Sequence, residues 1–192
     1  MSEHKHVKAE PKSRSRFRTI KRFNGDERGV AAIEFAILAM PFLLVLFAIL
    51  ESSISFASQQ LISDTVDRIA RDVRVGNIRK GGPGSSPAEI SDRICTELEF
   101  FVAAGCPDME IDLKVYATYD DLPVTLPRKP NYDVNTAGFD IEVGEGMEIQ
   151  MLRVFYRWKY MTKFIADKAA TLPDGKTLLY AAAAWKNEPF QN

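Results

Sequence analysis

Residues 29–50 read GVAAIEFAILAMPFLLVLFAIL. One charge, Glu34, stands among these 22 residues, and residues 35–50 carry none. At 1.5 Å per residue, a helix of that length spans about 33 Å, close to the ~30 Å hydrocarbon core of a bilayer. A helix apolar on every side needs either lipid or the interior of a large protein around it. A chain of 192 residues supplies no such interior. The stretch therefore reads as a transmembrane helix, and it organises the sequence on both sides.

Charge divides at the same place. Residues 1–28 carry nine Lys/Arg against Glu3, Glu10, Asp26 and Glu27, a balance of +5. The other 164 residues carry 16 basic and 22 acidic side chains, a balance of -6. The overall net charge of -1, with 27% charged and 46% hydrophobic residues, is thus a cancellation between unlike halves. The averages exclude a mostly disordered chain, a polytopic membrane protein and an overall basic nucleic-acid binder. The Lys/Arg excess precedes the apolar run, and the first charge after it is Glu51. The positive-inside bias then keeps the head cytoplasmic and places residues beyond about 51 outside. A secretory signal peptide would have an apolar core of about 7–15 residues and a small-x-small cleavage site. This run is longer and no such site stands clear of its end, so it reads as a retained anchor.

Two residues within the span are unusual. Pro41 removes an amide donor in mid-helix and is expected to bend it or loosen one turn. Glu34 costs a few kcal/mol in lipid unless it is protonated, paired or snorkelling to the interface. The string RGVAAIEFAILAMPFLLVLFAILE, residues 28–51, resembles the N-terminus of TadE-like proteins, pseudopilins of the tight-adherence (Tad) pilus machinery. Such proteins carry a class III, type IV prepilin-like leader. It has a basic head, a Gly, and a Glu-aromatic pair just inside the apolar run. Here these are Gly29, then Val30-Ala31-Ala32-Ile33, then Glu34-Phe35.

The resemblance implies cleavage between Gly29 and Val30 by a membrane prepilin peptidase, making Glu34 the fifth mature residue. Glycine suits such a site because it lets a protease approach the backbone closely. Cleavage frees an α-amine at Val30, and in related pilins the fifth-residue carboxylate offsets such an amine on a neighbouring subunit. Paired, a buried charge becomes tolerable. VFYRWKY and AAAAWKNEPF near the C-terminus look like the family's tail, above all Asn187-Glu188-Pro189-Phe190. The resemblance further implies a pilin-like fold and a non-enzymatic minor pseudopilin in Tad-type pilus assembly and surface adhesion. Its implied partners are the lipid bilayer, the prepilin peptidase, other pilin-like subunits and the Tad secretion platform. Its implied location is the bacterial inner membrane, single-pass. The competing reading is an uncleaved single-pass protein whose outer domain binds a ligand or envelope partner.

After Glu51 the helical pattern becomes one-sided. Ile54, Ala57, Leu61, Ile62, Val66, Ile69 and Val73 recur at steps of three and four. Asp64/Arg68 and Asp67/Arg71 are spaced for i,i+4 pairs. Gly76-Asn77 is a helix-stop signal, so one helix is expected over about 30–76. Residues 80–87, KGGPGSSP, form a linker and lack the lysine and spacing of a phosphate-binding loop. Pro87-Ala88-Glu89 opens a short helix with Ile90, Ile94, Leu98, Phe101 and Val102 on one side. Ile111, Leu113, Val115 and Ala117 alternate with polar residues as a half-buried strand. A Pro-rich loop over about 121–135 follows, then alternation at Phe139, Ile141 and Val143, and a longer strand carrying Leu152, Val154, Tyr156 and Trp158. Residues 178–185 stay ambiguous: their alanines favour helix, whereas the neighbouring sheet and the tail resemblance favour strand.

The expected fold class is α+β, a long N-terminal helix followed by a short helix and a mostly antiparallel sheet of three to five strands. The expected organisation is a basic cytoplasmic leader (1–29), a membrane helix (30–51), an amphipathic extension (52–78), a linker (79–87) and a periplasmic or extracellular α+β domain (88–192).

Cys95 and Cys106 are eleven apart. Two ligands do not complete a zinc site, and His4 and His6 fall on the other side of the membrane. Outside the cytoplasm a local disulfide is the favoured reading. No histidine follows His6, which rules out a Ser-His-Asp or Cys-His arrangement outside the membrane. No cofactor or metal motif stands out. Glu142, Glu145 and Glu148 read as a solvated loop in preference to a weak calcium site. Tyr156, Trp158, Tyr160 and Phe164 interleave with Arg153, Arg157, Lys159 and Lys163. Core alternation explains that pattern better than a nucleic-acid surface, for which the compartment is also wrong.

Overall fold

The apolar run and its amphipathic continuation form one element, helix α1 (Val30–Arg74), which contains Pro41 without ending there. The structure, a computed structural model, describes residues 29–102 and 104–190. The basic leader, residues 1–28, lies outside the described residues. Helix α1 stops where the glycine signal requires. Gly76 takes φ 78°, a conformation that costs other residues a Cβ clash. Its N–H donates to the Val73 carbonyl (3.1 Å), while the Asn77 and Ile78 N–H groups both donate to the Asp72 carbonyl (2.8 and 3.1 Å). The chain divides into two units, one ending at Leu46 and the other beginning at Phe47.

In the second unit, α1 buries Glu51, Ser55, Ser58, Ile62, Thr65, Val66, Ile69, Ala70 and Val73. These positions follow the expected stripe from Ile62 onward, but Ala57 is exposed and the first turns bury polar residues instead. Ser58 satisfies its hydroxyl by donating to the Ile54 carbonyl at 2.9 Å. Nor do the expected pairs along α1 form. Arg68 turns to Glu97 (3.2 Å), Asp64 accepts from Gln60 (2.9 Å), and Asp72 pairs with Arg93. The competitor is helix α2 (Pro87–Leu98), which packs alongside and offers its own charges. Ser86 caps α2 in a capping box with Glu89, and that hydrogen bond holds the Glu89 carboxyl below its usual range. Ile90, Ile94, Cys95 and Leu98 face the core.

Strands β1 (Met109–Tyr116), β2 (Ile149–Trp158) and β3 (Thr177–Lys186) form an antiparallel sheet in the order β1-β2-β3. Leu152 pairs with Leu113 on one side and Ala183 on the other. This register puts Ile111, Leu113, Leu152, Val154, Tyr156, Leu179, Ala181 and Trp185 in the core shared with α1 and α2. The alanine-rich segment is therefore a strand. Its ten-residue pairing with β2 outweighs a helix preference of a few tenths of a kcal/mol per alanine. The outer edge of β3 is partly closed by α1. Gln59 donates to the Tyr180 carbonyl (2.9 Å) and accepts its N–H (3.1 Å), as a neighbouring strand would.

The opposite face of the sheet is also covered. Val134, Phe155 and Leu172 form a second core with Leu126, Phe139, Leu178 and Tyr180 around it, and Phe139 stacks on Phe155 at 5.2 Å. Beneath this cover Asp112 accepts from Arg153 Nε (3.1 Å) and Nη2 (2.6 Å), a cross-strand ion pair with both side chains buried. Residues 139–143 do not form the strand that their alternation suggests. They make a single parallel bridge, Leu113 to Ile141. Two successive amides are diverted to carboxylates, Asp140 N–H to Asp112 (3.1 Å) and Ile141 N–H to Asp140 (2.8 Å), which ends the ladder. A short helix α3 (Lys163–Ala169) links β2 to β3.

Candidate functional site

Three groups of residues stand out in the sequence, and they fall on different parts of the fold. The first is the helix entry. Gly29 precedes α1, and an added Cβ there meets nothing within 4 Å. Val30, Glu34 and Phe35 follow on its first turns, all exposed. The same holds along the apolar run, where Phe35, Leu38 and Met40 are each at least 70% exposed. No residue of the most apolar stretch of this helix is buried, and its length and composition suffice to cross a membrane. A core helix of a soluble protein is buried; this one presents apolar side chains on every side, which only lipid or other apolar helices can cover.

The second group is the tail, Asn187-Glu188-Pro189-Phe190, and here the residues converge. Asn187 is 2% exposed. Its Oδ1 accepts from Trp185 Nε1 (2.8 Å), and its Nδ2 donates to the Glu145 carbonyl (2.7 Å). Its own N–H donates to the Glu148 carbonyl at 2.9 Å. The Glu188 N–H donates to the Arg74 carbonyl (2.9 Å), one of the carbonyls left open at the end of α1. Phe190 lies against Gly76, with the Arg79 guanidinium 5.4 Å from its ring centre. Gly146 is the counterpart on the loop: a Cβ there would come within 2.5 Å of the Phe190 carbonyl oxygen. The tail is thus a clasp that ties the end of β3 to the 144–148 loop and to the C-terminus of α1.

The third group is the cysteine pair. Cys95 on α2 and Cys106 in the following loop form a disulfide, with Cα atoms 5.8 Å apart. It joins α2 to the loop that leads into β1.

Other residues singled out in the sequence do not assemble. Glu142 pairs with Lys80 (3.2 Å), and that hydrogen bond raises the lysine's pKa, while the Glu148 carboxylate accepts the Glu145 N–H (2.7 Å). Among the described residues no group of three His, Cys, Asp or Glu converges as metal ligands do. Tyr156 and Trp158 are in the core. Arg153 is buried against Asp112, and Arg157 pairs with Asp133 (2.7 Å).

Sequence reading missed one functional group. Glu51, read only as the first charge after the apolar run, is 5% exposed. Its carboxylate accepts the N–H groups of Met161 and Thr162 and the Thr162 hydroxyl. A charge placed directly after an apolar run was the available signal; its partner, 110 residues away, was not visible.

Residues 29–71 match the family of TadE-like proteins, described as "TadE-like protein". The match begins at the glycine that precedes α1, takes in Glu34 and Phe35, and ends within the buried stripe of the same helix. The tail motif lies outside it. No curated protein and no solved structure matches the chain.

Proposed function

We propose that this chain is a membrane-anchored minor pseudopilin of a Tad-type pilus system, processed by a prepilin peptidase between Gly29 and Val30. One observation carries the reading: the TadE-like match begins at Gly29 and covers a helix whose apolar half is exposed on all sides. In this account the helix spans the inner membrane with the leader cytoplasmic and the α+β domain outside. It packs against the corresponding helices of other pilin-like subunits. The protein contributes structure to pilus biogenesis and adhesion and catalyses no reaction itself.

The chemistry at the helix entry supports this. Glu34 sits on an apolar helix without a described partner, and cleavage after Gly29 creates an amine four residues before it. Within one helix that amine and the Glu34 carboxylate lie about one turn apart. Between two parallel helices offset along their axes, the carboxylate of one subunit reaches the amine of the next. Packing then favours that offset, since it pairs each carboxylate with a neighbour's amine in lipid. Glu34→Leu is expected to insert and to be cleaved normally while piliation is lost. Electron microscopy of cells carrying the variant tests this; normal pili with Leu at position 34 would remove the pairing role.

A further inference from the structure

Glu51 ties one surface segment to the end of the apolar run. The run ends at Leu50, and Phe47, Ile49 and Leu50 are each at least half exposed. In a spanning helix, Glu51 therefore stands at the boundary between hydrocarbon and headgroups. The interfacial layer beyond that boundary is about 5–7 Å deep on each side. The Met161 and Thr162 amides donate directly to the Glu51 carboxylate, so the backbone of these two residues lies within one side-chain length of the boundary.

The side chains presented there have the composition of a membrane-surface element. Met161 is 82% exposed, although it is apolar. Lys159, Lys163 and Lys168 are exposed, and none has a carboxylate partner among the described residues. Elsewhere in this acidic domain lysines are paired: Lys80 with Glu142, Lys114 with Asp112, Lys129 with Asp133 and Lys176 with Asp108. The remaining unpaired lysine, Lys186, is at the other end of the sheet, opposite Ile149. Asp167 is the one acidic residue in residues 159–169, which leaves that stretch at +2. Three lysines without a carboxylate partner among the described residues, and an exposed methionine, thus flank the Glu51 contact in the chain, on a domain whose other lysines are mostly neutralised.

We infer that residues 159–168 form a foot by which the outer domain docks onto anionic phospholipid. Lys159, Lys163 and Lys168 meet the headgroup phosphates, Met161 enters the interface, and Glu51 holds the segment at that depth. The inference rests on the membrane-spanning reading of α1. A docked foot limits the swing of the domain about the point where α1 leaves the bilayer, which presents the domain to neighbouring subunits in one orientation.

The test uses the full chain carrying Met161→Cys, labelled with an environment-sensitive fluorophore while Cys95 and Cys106 remain oxidised. It is reconstituted in vesicles of phosphocholine lipid, alone or mixed with anionic phosphoglycerol lipid. A blue shift and quenching by brominated lipid are expected in the anionic vesicles and weakly in the neutral ones. Charge reversal at Lys159, Lys163 and Lys168 should lower the docked-to-undocked ratio roughly fivefold or more per lysine, whereas Lys→Arg at all three should retain it. A label that reports bulk water in both vesicle types, or docking unchanged by charge reversal, overturns the inference. A second label at Leu44→Cys separates the two claims. Quenching at position 44 with position 161 in water removes the foot alone; position 44 in water removes the spanning reading beneath it.

Discussion

Replacing Asn187 with Ala opens the clasp at its most buried point. The substitution removes the acceptor of the Trp185 indole N–H (2.8 Å) and the donor to the Glu145 carbonyl (2.7 Å). Trp185 is 7% exposed, so its N–H has little access to water. Leaving a buried donor unpaired costs about 1–3 kcal/mol. The Glu145 carbonyl is on an exposed loop and recovers part of its loss by hydration, adding about 1 kcal/mol. The expected total is about 2–4 kcal/mol, a large fraction of the ~5–15 kcal/mol that holds a domain folded. At ~2–4 °C per kcal/mol this lowers the midpoint by roughly 4–16 °C. Both tryptophans of the chain, Trp158 and Trp185, lie in the core of the outer domain. Intrinsic fluorescence during urea or thermal unfolding of the detergent-solubilised chain therefore reports on that domain and not on the apolar helix. Lys186→Ala, one residue earlier and exposed, serves as control and should change stability by less than about 0.5 kcal/mol. If Asn187→Ala is as stable as the control, the tail is not a clasp, and its resemblance to the family's tail needs another explanation.

Two further outcomes follow from the domain's cross-links. Replacing both Cys95 and Cys106 with Ser releases a short covalent loop, and loop-closure entropy puts the loss near 3 kcal/mol; urea midpoints with and without the substitutions measure it, and equal midpoints would contradict it. Asp133 links the loop over the second sheet face to Arg157, whose hydrogen bond holds the carboxyl below the usual range. A carboxylate with a depressed folded pKa contributes stability above its unfolded pKa of ~3.9 and loses it as pH falls through the folded value. Asp133→Asn should therefore be less stable than the parent chain from neutral pH down to about 4. The two stabilities should converge under stronger acid, and a pH-independent difference would exclude the linkage.

What the sequence disclosed depended on the range of the interaction. Helix α1 was legible because an uncharged run and a glycine stop are local signals, and β1 and β2 because alternation is local too. Alternation sets Asp112 and Arg153 on the face opposite the core-facing residues, yet both are buried. Strand alternation cannot reveal that a loop passing through Val134 and Phe139 covers the second face of the sheet. Residues 139–143 alternate as a strand, yet two carboxylates capture their amides. The tail is visible as a motif, but its contacts with Arg74, Gly76 and Gly146 depend on packing that no periodicity encodes. For Glu51, the charge was visible and the partner was not.

Processing is expected at Gly29, where the +5 head meets the -6 remainder. Intact-mass measurement and N-terminal sequencing of the chain purified from its native membranes test it most directly. The account predicts a chain of 163 residues beginning at Val30, with every residue of the basic head removed. A chain that retains the residue 1–28 head, or that begins at any residue other than Val30, would contradict it.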